Sequence, residues 1–184
     1  MDKIDSTNVF TMGYGLAIFD PVLLNQYIKE KKIRKKNLYK HFTTHKDGDE
    51  VISKGILLPM YPLTASNYKI EITSNYLNKI SENKTVLLER GIYKLSTSSG
   101  KLCIGDISLI EEWDYLDYNN VSEIKNGVVS TAIIKNIQSN IQGVKIYGFY
   151  EEKNNIYGYT FDLISNVTDF IPFDFQFEII NRTP

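Results

Sequence analysis

Along much of this chain apolar and polar residues alternate with a period of two, the spacing that puts every second side chain on one face of a strand. Tyr68-Lys69-Ile70-Glu71-Ile72-Thr73 reads as a half-buried strand. Phe173 to Ile179 alternates without a break and places Phe173, Phe175, Phe177 and Ile179 on one side, which makes the last segment part of the core. The shorter apolar run Tyr14 to Phe19 reads as a buried strand, Val128 to Ile134 as a strand, and Val51-Ile52 and Ile56 to Leu58 as strand pieces around Lys54-Gly55. Pro59 and Pro62 confine Met60-Tyr61 to extended backbone at an edge or in a loop.

Two hairpins are expected. Val144 to Tyr150 and Ile156 to Ile164 flank Glu151-Glu152-Lys153-Asn154-Asn155, and Asn tolerates the positive φ of tight turns. Ile92 to Ser96 and Lys101 to Ile104 flank Thr97-Ser98-Ser99-Gly100, a polar tetrapeptide ending in glycine. Helical signals are fewer. Asp20 as N-cap and Pro21 at the first helical position open a helix predicted to run to about Lys36, with Val22, Leu23, Tyr27 and Ile28 sharing one face. Ser74 to Ile80 reads as a short helix capped by Ser74.

About nine strands joined by short turns favour antiparallel pairing. The expected fold is therefore α+β and β-rich: a curved or barrel-like antiparallel sheet of about nine strands with one or two helices packed on it. The 184 residues show no repeat and no linker, so residues 1–184 read as a single domain, with a helix-containing part at 1–50 and mainly antiparallel strands over 51–184.

Composition narrows the classes of function. Apolar residues make up 42% of the chain, enough for a sizeable core, and the net charge of -1 points to neither nucleic acid nor membrane as the default partner. One cysteine, Cys103, cannot form an internal disulfide, and it alternates with Leu102 and Ile104 as a buried structural thiol would. The first residues lack a basic segment followed by an apolar one, and no apolar run approaches the roughly 20 residues of a membrane span. A cytoplasmic location is expected. The excess of lysine (18) over arginine (3), with abundant Ile, Asn and Tyr, points to an AT-rich bacterial genome and lowers the weight of any lysine cluster.

No catalytic motif is visible. There is no Gly-x-Ser-x-Gly and no glycine-rich phosphate loop, and Gly13-Tyr14-Gly15 is too short for a dinucleotide fingerprint. No cofactor is expected. Glu111-Glu112 beside Trp113 is the one suggestive carboxylate pair. His41 and His45, at i, i+4 spacing and followed by Asp47 and Asp49, form the one candidate metal site and would support a metal-dependent hydrolase. Thr43 and Thr44 between the histidines weaken the helix that this spacing needs, and Asp47-Gly48-Asp49 reads as a turn. The stretch from Lys29 to Lys46 carries eight Lys or Arg residues against Glu30 alone, with Tyr39 and Phe42 nearby, and would support a nucleic-acid-binding accessory role.

The segment from Asp106 to Glu123 has six acids and no basic residue. Trp113, Tyr115 and Tyr118 are interleaved with Glu111, Glu112, Asp114 and Asp117. Aromatic anchors inside an acidic rim suit a basic protein partner, because charge steers the encounter and ring burial holds it. These seven residues are the expected protein-binding site. Small size, a strand-rich core and an acidic aromatic segment make a profile similar to that of bacterial immunity proteins and antitoxins, which neutralise a toxin by binding it. The likeness rests on no motif. It implies a non-enzymatic protein-binding module that inhibits or sequesters its partner.

Overall fold

The computed structural model of the protein describes residues 5–74, 83–118, 121–138, 141–174 and 176–180. It is an α+β structure with ten strands in two five-stranded sheets and three α-helices among the described residues. The first sheet has the order β1-β4-β10-β9-β5, formed by Asp5–Thr11, Ser66–Thr73, Ile156–Ser165, Ile141–Glu151 and Lys84–Lys94. The second has the order β3-β2-β6-β8-β7, formed by Leu57–Met60, Leu16–Phe19, Lys101–Asp106, Val129–Asn136 and Glu123–Asn126. The sheets do not close into a barrel. All pairs are antiparallel except β4 with β10, which run parallel, Tyr159 opposite Ile70.

Period-two alternation builds three layers. On the second sheet Leu16, Ile18, Leu58, Ile104 and Ile133 face the first sheet, where they meet Val9, Tyr68, Ile70, Ile146, Tyr159 and Phe161. The alternate residues Ala17, Phe19, Leu57, Cys103 and Ile134 face the other way, into a second core closed by helices α1 (Pro21–Glu30), α2 (Leu38–Thr44) and α3 (Asp47–Ser53) and by the 107–118 segment. The second sheet is thus covered on both faces, which is why its strands read as continuous apolar runs and not as alternating ones. The outward side of the first sheet carries polar groups. Glu71 there is buried, bound by Lys84 Nζ at 2.5 Å and by the Thr160 hydroxyl at 2.9 Å.

Asp20 caps α1, its Oδ1 accepting the N–H groups of Val22 and Leu23. The helix stops at Glu30, six residues short of the expected Lys36. Lys32 adopts φ +55°, and its N–H donates to Lys29 O while that of Ile33 donates to Ile28 O. This paired bonding is the Schellman stop, and it turns Ile33 back onto the core. Residues 29–32 are all charged, so a helix continued through them would bury no apolar face.

Three further expectations are corrected. Val51-Ile52 belongs to α3, which begins at Asp47, so Asp47-Gly48-Asp49 is a first helical turn with its acids at the positive end of the helix. Ile92 to Ser96 and Lys101 to Ile104 do not pair, because β5 lies in the first sheet and β6 in the second. At the corner between them Asp20 takes the Ser99 N–H at 2.9 Å and the Ser99 hydroxyl at 2.6 Å, so the tetrapeptide is anchored to the α1 cap. Phe173 to Ile179 forms no strand among its described residues: Phe177 and Ile179 are buried, and the segment is tied through its carbonyl at Phe177 to the Tyr159 hydroxyl at 2.6 Å. The 1–50 stretch holds β1 and β2 besides its helices. The hairpin between β9 and β10 is as expected, with Asn155 at φ +50°. The helix expected over Ser74 to Ile80 falls, beyond Ser74, outside the described residues. Among the described residues no helix is long and apolar enough to cross a membrane.

Candidate protein-binding surface

Asp106 ends β6 and caps the 3-10 turn Ile107–Ile110, which tucks Ile107 and Ile110 into the second core. The chain then passes the link from α1 to α2, where the Trp113 N–H donates to Lys36 O at 3.0 Å. Trp113 and Tyr118 stack with centroids 4.9 Å apart, and Phe19 meets both edge-on at 5.8 and 5.6 Å. Trp113 keeps 8% of its surface and Tyr118 2%. The expectation that these two rings are displayed to a partner is corrected: they are core, because the second sheet needs large apolar groups over Phe19 and Cys103. Burial pushes the Tyr118 hydroxyl and the Cys103 thiol well above their ordinary values, so both stay protonated and the thiol is no nucleophile.

The charges of the same segment lie outside. Glu112, Asp114 and Asp117 are exposed, Glu111 and Tyr115 are half-buried, and Leu116 between them is 72% exposed. Glu112 and Asp117 line a cleft of about 210 Å³ together with Asp106, Asn126, Tyr118 and Met12. Among the described residues no Lys or Arg lines it.

Met12 brings a second element to this surface. Residues 12–15 link β1 to β2, and so carry the chain from one sheet to the other. Asp106 Oδ2 accepts the N–H groups of Met12 and Gly13, at 2.5 and 2.9 Å, while its Oδ1 takes that of Ser108 at 2.8 Å. Leu63 N–H donates to Tyr14 O and Ile107 N–H to Gly15 O. A Cβ on Gly15 would lie 2.5 Å from Met60 O, so only glycine allows this approach. The turn is therefore held from both sides, and it presents Met12 at 57% exposure and Tyr14 at 68%. Tyr14 adopts φ +62°, a conformation that costs a bulky L-residue about 1–2 kcal/mol. The pair Gly13 and Gly15 around a tyrosine was the visible signal; its meaning lay in Met60 and Asp106, which are remote in sequence.

The other candidate residues are placed as follows. His41 lies in α2 and its Nε2 is 2.9 Å from Asp47 Oδ2. His45 is already off the helix, at φ -127°, and stacks on the His41 ring at 4.5 Å between centroids. Asp49 is exposed on α3 and binds neither histidine. Among the described residues no three His, Cys, Asp or Glu side chains converge as a metal-ligand set, so the structure brings together His41 and Asp47 but not the four. In the basic stretch Lys31 pairs with Glu50 at 2.5 Å, and the rings face the protein: Phe42 packs beside Tyr27, and Tyr39 edge-on to Tyr61.

No protein-family model, no curated protein and no solved structure matches the chain, so its reading rests on this geometry.

Proposed function

We propose that this chain is a non-enzymatic cytoplasmic protein-binding module that inhibits or sequesters a basic protein partner, in the manner of an immunity protein. The observation that carries the reading is the rigid display of Met12 and Tyr14 beside the acidic cleft. A large aromatic held in a strained conformation, flanked by glycines and fixed by a buried carboxylate, has no role in either core. Such residues are the usual anchors of an interface, and a pre-formed turn avoids the ordering cost of binding. Glu112, Asp117 and Asp106 make the neighbouring cleft acidic, and an arginine or lysine side chain suits it in size and charge. Trp113 and Tyr118 stiffen this surface from beneath. Leu116, Met12 and Tyr14 take over the anchoring part that the sequence pattern assigned to the buried rings.

Affinity capture from native lysate tests this with three baits: wild type, Tyr14→Ala, and Glu112→Lys with Asp117→Lys. The expected result is a basic protein retained by wild type and lost from both variants. Retention of the same protein on both variants would overturn the site.

A further inference from the structure

Among the described residues each sheet ends in two edge strands, β1 and β5 in the first, β3 and β7 in the second. An open edge invites pairing with another chain, and proteins guard their edges with prolines, lysines, bulges or short length. β3 is four residues long and contains Pro59. β7 is also four residues long, with Lys125 and a break in register between Ile124 and Lys125. β5 carries Lys84 and Lys94 at its ends, and its register breaks between Val86 and Leu88 and again between Arg90 and Tyr93. β1 has none of these devices. Its seven residues pair with β4 in unbroken register from Asp5 to Thr11, without proline, lysine or bulge. Among the described residues β4 is its one strand neighbour, and no backbone bond outside that ladder involves residues 5–11. Val9 and Thr11 are wholly buried. An outward-turned edge residue would leave its N–H and C=O accessible, so the main-chain groups of these two face β4. The alternate residues Ser6, Asn8 and Phe10 then turn theirs to the open side. Ser6 and Asn8 are exposed and Phe10 is half-buried.

The open edge runs into the acidic surface, because Phe10 lines the acidic cleft beside Met12, Asp106, Glu112 and Asp117. From the unguarded edge and its continuity with that cleft, we infer that the basic partner docks by adding an extended segment to β1 as an antiparallel strand. Its backbone bonds Ser6, Asn8 and Phe10, and a leading Lys or Arg enters the cleft. Charge selects this occupant over a second copy of the chain. Self-pairing centred on Asn8 would set Ser6 opposite Phe10, and residues 6–11 hold no Lys or Arg to meet the carboxylates. The inference rests on the reading of the cleft as the site of a basic protein and adds the form in which that protein binds. Main-chain bonds supply affinity and the cleft supplies selectivity.

The probe is the capped peptide acetyl-Lys-Arg-Thr-Val-Thr-Val-Thr-amide, with two analogues N-methylated either at the valines or at the threonines, so that each has one edge blocked. Titration into the full chain, followed by NMR, is expected to give saturable binding and to slow amide exchange at Ser6, Asn8 and Phe10. The analogue methylated on the bonding edge binds at least ~tenfold more weakly, the worth of two or more net hydrogen bonds, and the other binds like the parent. Asn8→Pro removes an outward N–H while sparing the β4 ladder and weakens binding; Asn8→Ala, which keeps that N–H, does not. Absence of saturable binding to wild type, or equal binding of all three peptides, overturns the inference. If all three bind equally but Glu112→Lys with Asp117→Lys abolishes binding, the acidic surface stands and the added strand falls. If one methylated analogue fails while that charge variant binds like wild type, the strand stands and the acidic reading falls.

Discussion

Asp106 Oδ2 accepts the backbone N–H of Gly13 at 2.9 Å, a contact between residues 93 apart in sequence. With the bonds to Met12 and Ser108, one buried carboxylate fixes both the turn that displays Met12 and Tyr14 and the start of the acidic segment. The proposed surface is thus assembled around a single buried anion, which also lines its acidic cleft. Asp106→Ala should cost about 3 kcal/mol, since it orphans three donors at a partly buried turn. Urea denaturation measures that loss, and partner capture should weaken in the same variant even below its melting temperature.

Tyr14→Gly separates stability from binding. Glycine accepts φ +62° without strain, which offsets its greater freedom in the unfolded chain, so the variant should be between equally stable and about 1 kcal/mol more stable than wild type. Partner affinity should fall at least tenfold with loss of the ring. A destabilised Tyr14→Gly variant, measured by chemical denaturation, would show that the ring serves the fold.

Trp113 is the only tryptophan, so intrinsic fluorescence reports its surroundings directly. Its emission should lie to the blue of the unfolded protein and resist iodide quenching. Trp113→Ala should destabilise by about 3–5 kcal/mol through loss of the stack with Tyr118 and the edge contact with Phe19.

Glu50 accepts Lys31 and Lys54 together, and these two ammonium groups hold its carboxyl down at about 2, below its ordinary 4.5. A carboxyl whose folded value is depressed contributes stability that is complete above the unfolded value and is lost as pH falls through the folded one. The contribution of Glu50 should therefore be intact above about pH 4.5 and disappear toward pH 2. Carboxyl chemical shifts followed by NMR across that window should give a midpoint near 2, and Lys31→Ala with Lys54→Ala should move it upward.

Truncation before Phe173 should abolish soluble expression. It removes Phe177 and Ile179, both buried against the first sheet, and the Tyr159 bond to Phe177 O. Loss of two such side chains, at about 2–5 kcal/mol each, is comparable with the ~5–15 kcal/mol stability of an ordinary domain. A soluble chain ending at Pro172 with a cooperative melt would show that the segment is dispensable.

Residues close in sequence determined the local pieces. Asp20-Pro21 set the start of α1, Glu151 to Asn155 set the β9–β10 hairpin, and the alternation of Tyr68 to Thr73 set the inward face of β4, since a cap, a turn and a period of two each depend on neighbours only. Tertiary structure decided the rest. Whether β5 and β6 pair or part depends on Asp20 holding Ser99, and whether Trp113 is core or surface depends on Phe19 and Lys36 reaching it from the other side of the layer. Aromatic and acidic residues mixed in one segment say that something will be buried and something solvated. Only the elements that pack over them decide which rings are hidden, and here the hidden rings are Trp113 and Tyr118 while Tyr14, seemingly in a strand, stands in solvent.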